Sequence, residues 1–166
     1  QILVVFSLAF FLYTMGLIGI IAPESRAESV QLTPLTLILS LLIVMLFAEC
    51  SFTLKTTLIF LIIAVSGYFI ESLGVNTGKI FGHYTYGKTL GLSILNTPLL
   101  IGLNWLFLVY TTSSLFEKWP VHNIIKILSA SLVMVGYDFA LEPVASKMDM
   151  WHWKNMMIPL QNYIAW

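Results

Sequence analysis

The chain has 166 residues, 58% of them hydrophobic and 10% charged, and its eight basic and eight acidic side chains cancel. Ordinary soluble domains carry about 25% charged residues; this composition, with a mean hydropathy of +0.90, points to an integral membrane protein. The charge balance excludes an electrostatic case for nucleic acid. The single cysteine, Cys50, excludes an internal disulfide and a cysteine-based metal site, and reads as a small packing residue at a membrane boundary.

The first apolar stretch, residues 2–22, is too long and lacks the basic leader of a cleaved signal peptide. It begins directly after Gln1, and the chain closes on PLQNYIAW without a polar tail, so truncation at one or both ends is expected. Residues 22–33 form a short polar link with the only arginine, Arg26. Apolar stretches at 32–48 and 54–70 follow, the second closed by Glu71. The next link, 71–97, holds five glycines together with Phe81, Tyr84 and Tyr86. Its length points to a functional loop and its aromatics argue against disorder. Two more apolar stretches, 98–116 and 124–141, precede a segment from 156 to 166 that is too short to cross a bilayer alone and reads as the start of a sixth helix. Spanning takes about 20 helical residues. Lipid-exposed backbone must satisfy its own hydrogen bonds, so these stretches are expected to be helices. The alternating segments of a barrel are not in the sequence. The expectation is an all-α, polytopic helical membrane protein, one domain over residues 1–166, with about five to six transmembrane helices.

Odd-numbered links lie on one side of such a bundle. They carry Arg26, Lys79, Lys88, Lys147 and Lys154, against Lys55, Lys118 and Lys126 on the other side. The excess mildly favours a cytoplasmic face for the odd-numbered links, in an integral protein of the cell inner membrane. This topology allows Glu71, Tyr84, Tyr86, Asp138, Glu142, Trp151 and Trp153 to converge.

Residues 137–153 read YDFALEPVASKMDMWHW and place Asp138 and Glu142 four residues apart, on one helix face. An ionisable group at such depth costs a few kcal/mol, so it is usually functional or paired. Two readings follow. Both acids reach the headgroups or pair with Lys147, with Pro143 ending the helix; or they crowd in a poorly solvated place, where one stays protonated and acts as a proton donor. Glu49 and Glu117 also stand at run ends, so only the company of the Gly/aromatic link sets Glu71 apart.

Tyr84, Tyr86, Trp151 and Trp153 fit an interfacial aromatic belt. Electron-rich ring faces also stabilise cations, which suits a reaction through a carbocation. His83, His122 and His152 show no metal-ligand spacing, although His152 with Asp138, Glu142 or Glu71 would offer an oxygen/nitrogen set. The string GVNTGK at 74–79 is one residue short of a phosphate loop and lacks the hydroxyl residue after Lys79. No Asp-rich diphosphate motif is visible, which argues against prenyl transfer.

Taken in order, ES-LGV-TG--FG-Y-Y, a Pro-led helix with Trp105, YDFALEPVA, W-W and PLQNYIAW resemble a family of carotenoid biosynthesis membrane proteins that includes γ-carotene 1′,2′-hydratase and bisanhydrobacterioruberin hydratase. The resemblance covers roughly residues 68–166. It rests on Glu71, Gly74, Thr77, Gly78, Phe81, Gly82, Tyr84, Tyr86, Asp138, Glu142, Pro143, Trp151, Trp153, Pro159 and Asn162. The chain departs from the pattern at Glu142, where Asp is the more usual acid before proline.

The resemblance implies a hydratase that adds water to the terminal C1–C2 double bond of an acyclic carotenoid, without a cofactor or redox partner, in contact with membrane lipid. Alkene hydration needs a proton donor, a stabilised tertiary cation and a positioned water. Asp138 is expected to be the acid, with Glu142 tuning or relaying, and Glu71 or Asn162 to hold the water. Tyr84, Tyr86, Trp151 and Trp153, with Phe81, are expected to shield the cation and bind substrate. Two alternatives stand beside it: a lycopene-cyclase-like end-group cyclase, and a non-enzymatic carotenoid-binding or structural membrane subunit. The carotenoid, the number of ends modified and the oligomeric state stay open.

Overall fold

The computed structural model describes residues 2–48 and 51–166; Cys50 and Glu49 lie outside the described residues. Seven α-helices dominate them: α1 (Ile2–Ile21), α2 (Arg26–Gln31), α3 (Thr33–Leu46), α4 (Leu54–Thr77), α5 (Leu100–Phe116), α6 (Asn123–Ala145) and α7 (Leu160–Ala165). The all-α expectation needs one correction. Two small antiparallel sheets are present, β1 (Tyr84–Tyr86) with β4 (Trp151–Trp153) and β2 (Ser93–Ile94) with β3 (Thr97–Pro98). Packing divides the chain into two compact units, residues 1–48 and 49–166.

In the first unit, the polar link expected at 22–33 contains the short helix α2, with Glu28 in its first turn, where a negative charge complements the helix dipole. Tyr13 in α1 and Ser40 in α3 share a hydroxyl–hydroxyl contact.

In the second unit, α5 packs against both α4 and α6. Helix α4 starts where the Thr53 hydroxyl accepts the Thr56 N–H at 3.2 Å. It ends at Gly78, whose φ of +67° only glycine adopts readily. The helix therefore runs past the apolar stretch, and Glu71 sits inside it rather than at its end. Falling hydropathy ended the stretch on paper, but the backbone ladder continues to the first residue that can reverse it. Pro143 likewise does not end α6, which continues to Ala145. Proline removes one backbone bond in the last turn, where the ladder is about to stop anyway.

Small residues let the helices approach closely. A Cβ on Gly102 would lie 2.7 Å from the Ala64 carbonyl oxygen, and one on Gly67 would lie 2.5 Å from the Trp105 Cβ. The β2–β3 hairpin lies along α4, where Tyr68 Oη donates to the Ile94 carbonyl at 2.7 Å and Asn76 Nδ2 to the Leu95 carbonyl at 2.9 Å.

Two helices are long and apolar enough to cross a membrane, α4 and α6. Their most apolar windows are only 22% and 11% buried. The core helix of a soluble protein would be mostly covered, so this exposed apolar surface points to membrane association.

Candidate functional site

The site is built from side chains of α4, α5, α6 and α7 and of the strands β1 and β4, all in the second unit. Side chains alternate along a strand, so in Tyr84–Tyr86 the two tyrosines share a face, and in Trp151–Trp153 the two tryptophans do. Antiparallel pairing sets Tyr84 opposite Trp153 and Tyr86 opposite Trp151. Four aromatic side chains thus form one face above the helix ends, and Thr85 and His152 point the other way. The Tyr84 and Trp153 rings lie 5.0 Å apart, centre to centre.

Beneath that face lie three buried carboxyl groups. Glu71 is 5% exposed and Asp138 and Glu142 are 4% exposed each. Glu71 Oε2 accepts from Tyr84 Oη at 2.5 Å and Tyr86 Oη at 3.0 Å, and Oε1 accepts from Trp105 Nε1 at 3.2 Å. Glu142 Oε2 accepts from Trp153 Nε1 at 2.8 Å and Trp151 Nε1 at 3.1 Å. Asp138 Oδ2 accepts from Asn162 Nδ2 at 2.6 Å. Bonds to charged groups contribute about 1.5–3 kcal/mol each, enough to offset part of the cost of burying these acids.

One atom breaks the pattern. Glu142 Oε1 is buried and has no hydrogen-bond partner. Buried acceptors are nearly always partnered, by protein or by ordered water.

Burial and the nearby Glu71 carboxylate push the Tyr84 and Tyr86 hydroxyls well above their ordinary values. Both therefore remain O–H donors toward Glu71.

The three acids share one cavity of about 40 Å³. That is room for ordered water. All nine residues singled out from the sequence line it: Glu71, Asp138 and Glu142, then Phe81, Tyr84, Tyr86, Trp151, Trp153 and Asn162. The wall also includes Asn104, Tyr137 and Trp166, which the sequence reading did not single out, and Trp105, which it quoted without a role. The Trp105 and Trp166 rings stack at 4.8 Å with planes 5° apart.

The alternative placements of these groups do not describe this arrangement. Among the described residues, neither Asp138 nor Glu142 pairs with Lys147. His152 faces away from the three acids: its Nε2 meets Asp149 Oδ1 at 2.7 Å and its Nδ1 meets Ser146 Oγ at 3.2 Å. His122 caps α6, its Nδ1 accepting the Ile124 N–H at 3.3 Å. Among the described residues no cluster of three or more His, Cys, Asp or Glu side chains is placed to hold a metal ion.

The family model described as "Carotenoid biosynthesis protein" matches residues 32–166. The chain belongs to this family. The match starts well before residue 68, where the motif resemblance begins, and takes in α3 and the first part of α4. Apolar membrane helices carry few distinctive residues, which is why that part of the relationship was not legible from motifs. No curated protein and no solved structure matched the chain. Membership places the chain in carotenoid biosynthesis.

Proposed function

We propose that the chain is a carotenoid hydratase, adding water to the terminal C1–C2 double bond of an acyclic carotenoid end by acid catalysis. The observation that supports this reading is the convergence of Asp138, Glu142 and Glu71 on one small cavity walled by the aromatic side chains Tyr84, Trp151 and Trp153.

Asp138 is the proton donor. Asn162 Nδ2 holds Oδ2, which leaves Oδ1 to carry the proton. Transfer of that proton to C2, using the π electrons of the double bond, leaves a tertiary cation at C1. The aromatic faces of Tyr84, Trp151 and Trp153 shield it until attack. Water bound to Glu142 Oε1 adds its oxygen to C1, and its surplus proton returns through Glu142 to Asp138, which restores the acid.

The hydrogen-bond pattern moves two roles away from the sequence expectation. Glu71 is occupied by three donors, so it holds the tyrosines and Trp105 in place rather than the water. Asn162 orients the acid.

End-group cyclisation begins with the same protonation but must keep water from the cation. Room for a water in the cavity between Asp138 and Glu142 favours hydration over that alternative. The convergence of three acids on one cavity likewise favours an enzyme over a structural subunit.

Helices α4 and α6 are read as full membrane spans. The 20-residue α1 and 17-residue α5 fit the lower part of the spanning range and bring the count to four; the 14-residue α3 and a helix beginning at α7 bring the proposed total to five to six, with the site near the cytoplasmic face of the inner membrane. Glu71 then lies about 9 Å below the end of α4, at 1.5 Å per residue.

The test is pigment analysis of a host that makes acyclic carotenoids, with and without the full-length protein. Hydration adds the mass of one water per modified end; cyclisation adds none, and a structural subunit leaves the pigments unchanged.

A further inference from the structure

A second space opens between α5 and α6, with a volume of about 780 Å³. It shares two wall residues, Trp105 and Trp166, with the catalytic cavity. The stacked indoles therefore form a partition, one side facing the acids and the other this groove. Trp105 links the two sides physically, because its Nε1 donates to Glu71 while its ring stacks on Trp166.

The groove has a direction. From the partition along the helices its walls are Met134, Val109, Ala130 and Ile127, with Tyr110, Thr112 and Ser131 among them. Further along α5 it reaches Ser113, Ser114 and Glu117, and on α6 it reaches Asn123 and Lys126. From Trp105 to Glu117 the helix rises about 18 Å. The space thus starts at the catalytic end, passes a mainly apolar middle and finishes on polar groups at the opposite end of the same two helices.

We propose that this groove binds the hydrocarbon body of the substrate, so that a long acyclic polyene lies along α5 and α6 with its reacting end past the Trp105–Trp166 stack. This inference rests on the hydratase reading for the identity of the chain in the groove. The catalytic cavity is far too small for the whole of a long apolar substrate, so the rest of the chain needs another surface. The groove is the mainly apolar space that borders that cavity across the Trp105–Trp166 stack. Its polar far end matches arrival at the other membrane face, where α5 ends and α6 begins. The Trp105–Trp166 stack is then the point that admits a slim, open-chain end group and refuses a ring.

The experiment uses the full chain in detergent and two readouts. Ala130→Phe fills the groove wall without touching the acids or their donors, and Ser131→Leu, on the same wall, is the second filling variant if the first does not insert. Leu128→Phe on the exposed side of α6 is the control. Affinity for a long acyclic carotenoid is measured by quenching of tryptophan emission, and turnover is measured with that carotenoid and with a short acyclic terpene bearing the same terminal alkene. The expected result is a loss of about tenfold or more in affinity and turnover for the long substrate in the filled variants, the size of effect a blocked apolar subsite produces. The short substrate and the Leu128→Phe control stay at wild-type values. Equal affinity for the long polyene in wild type and filled variants overturns the groove assignment. If the wild-type protein hydrates neither substrate, the hydratase reading fails, and the affinity comparison alone then decides whether the groove binds a polyene.

Discussion

Tyr86 and Trp151 face each other across the β1–β4 pair, yet they donate to different acids, Tyr86 to Glu71 and Trp151 to Glu142. One rung of a two-stranded sheet therefore spans the carboxylates of two different helices. The strands have three residues each, too few to be stable alone, and they are held by what their side chains do on the acid-facing side. Fold and site share the same bonds in this part of the chain.

Tyr84→Phe and Tyr86→Phe each remove one of the three donors to Glu71 while keeping the ring. Each is expected to destabilise the protein by about 1.5–3 kcal/mol, the contribution of one hydrogen bond to a charged group. Reversible unfolding in mixed detergent micelles measures it. Values within about 0.5 kcal/mol of wild type, as at an ordinary surface position, would show that Glu71 does not depend on the tyrosines.

Trp151→Phe and Trp153→Phe act on one oxygen, Glu142 Oε2. Losing either leaves the other donor, whereas losing both leaves a buried carboxyl with no partner at all. The double variant is expected to cost more than the sum of the singles, with an interaction of about 0.5–3 kcal/mol. Strict additivity would mean that the two indoles serve Glu142 independently.

Gly67→Leu places a side chain where the Trp105 indole now sits, since even a Cβ there would be 2.5 Å from it. Overpacking of this kind costs about 1–3 kcal/mol. Trp105 must move, so its bond to Glu71 is lost and turnover falls with stability. Unchanged tryptophan emission in this variant would contradict the packing described for α4 against α5.

The His152 hydrogen bond and the Lys88 N–H hold the Asp149 carboxyl below its usual value. A depressed carboxyl stabilises the fold at pH values above its unfolded pKa, and that contribution fades as pH falls through the lower folded value. The stability difference between wild type and Asp149→Asn is therefore expected to be constant near neutrality and to shrink toward zero in strong acid. The group is half exposed, so the effect is small, about 0.2–1 kcal/mol. A difference that grows on acidification would reverse the assignment.

Much of the site was legible because its logic is simple. Two links on the same side of a helical bundle, each with an aromatic–x–aromatic triplet, could meet one pair of acids at i and i+4. The strand pairing that locks the triplets together was not legible, since three-residue strands have no periodicity to detect. Trp105 was missed as a ligand of Glu71 because the contact depends on the close α4–α5 crossing at Gly67 and Gly102. A single sequence marks such glycines as helix weaknesses, not as contact points. Glu71 and Pro143 were misplaced as ends because hydropathy reports lipid exposure, while a helix ends where its backbone bonds do.

The central claim is that Asp138 donates the proton that begins hydration. Asp138→Asn keeps the shape of the group and its place beside Asn162 while removing the acid. Membranes carrying this variant, supplied with an acyclic carotenoid and analysed for pigments by mass, are expected to yield no hydrated product while the protein inserts and folds as wild type does. Near-normal hydrated product from the folded Asn variant would contradict the account.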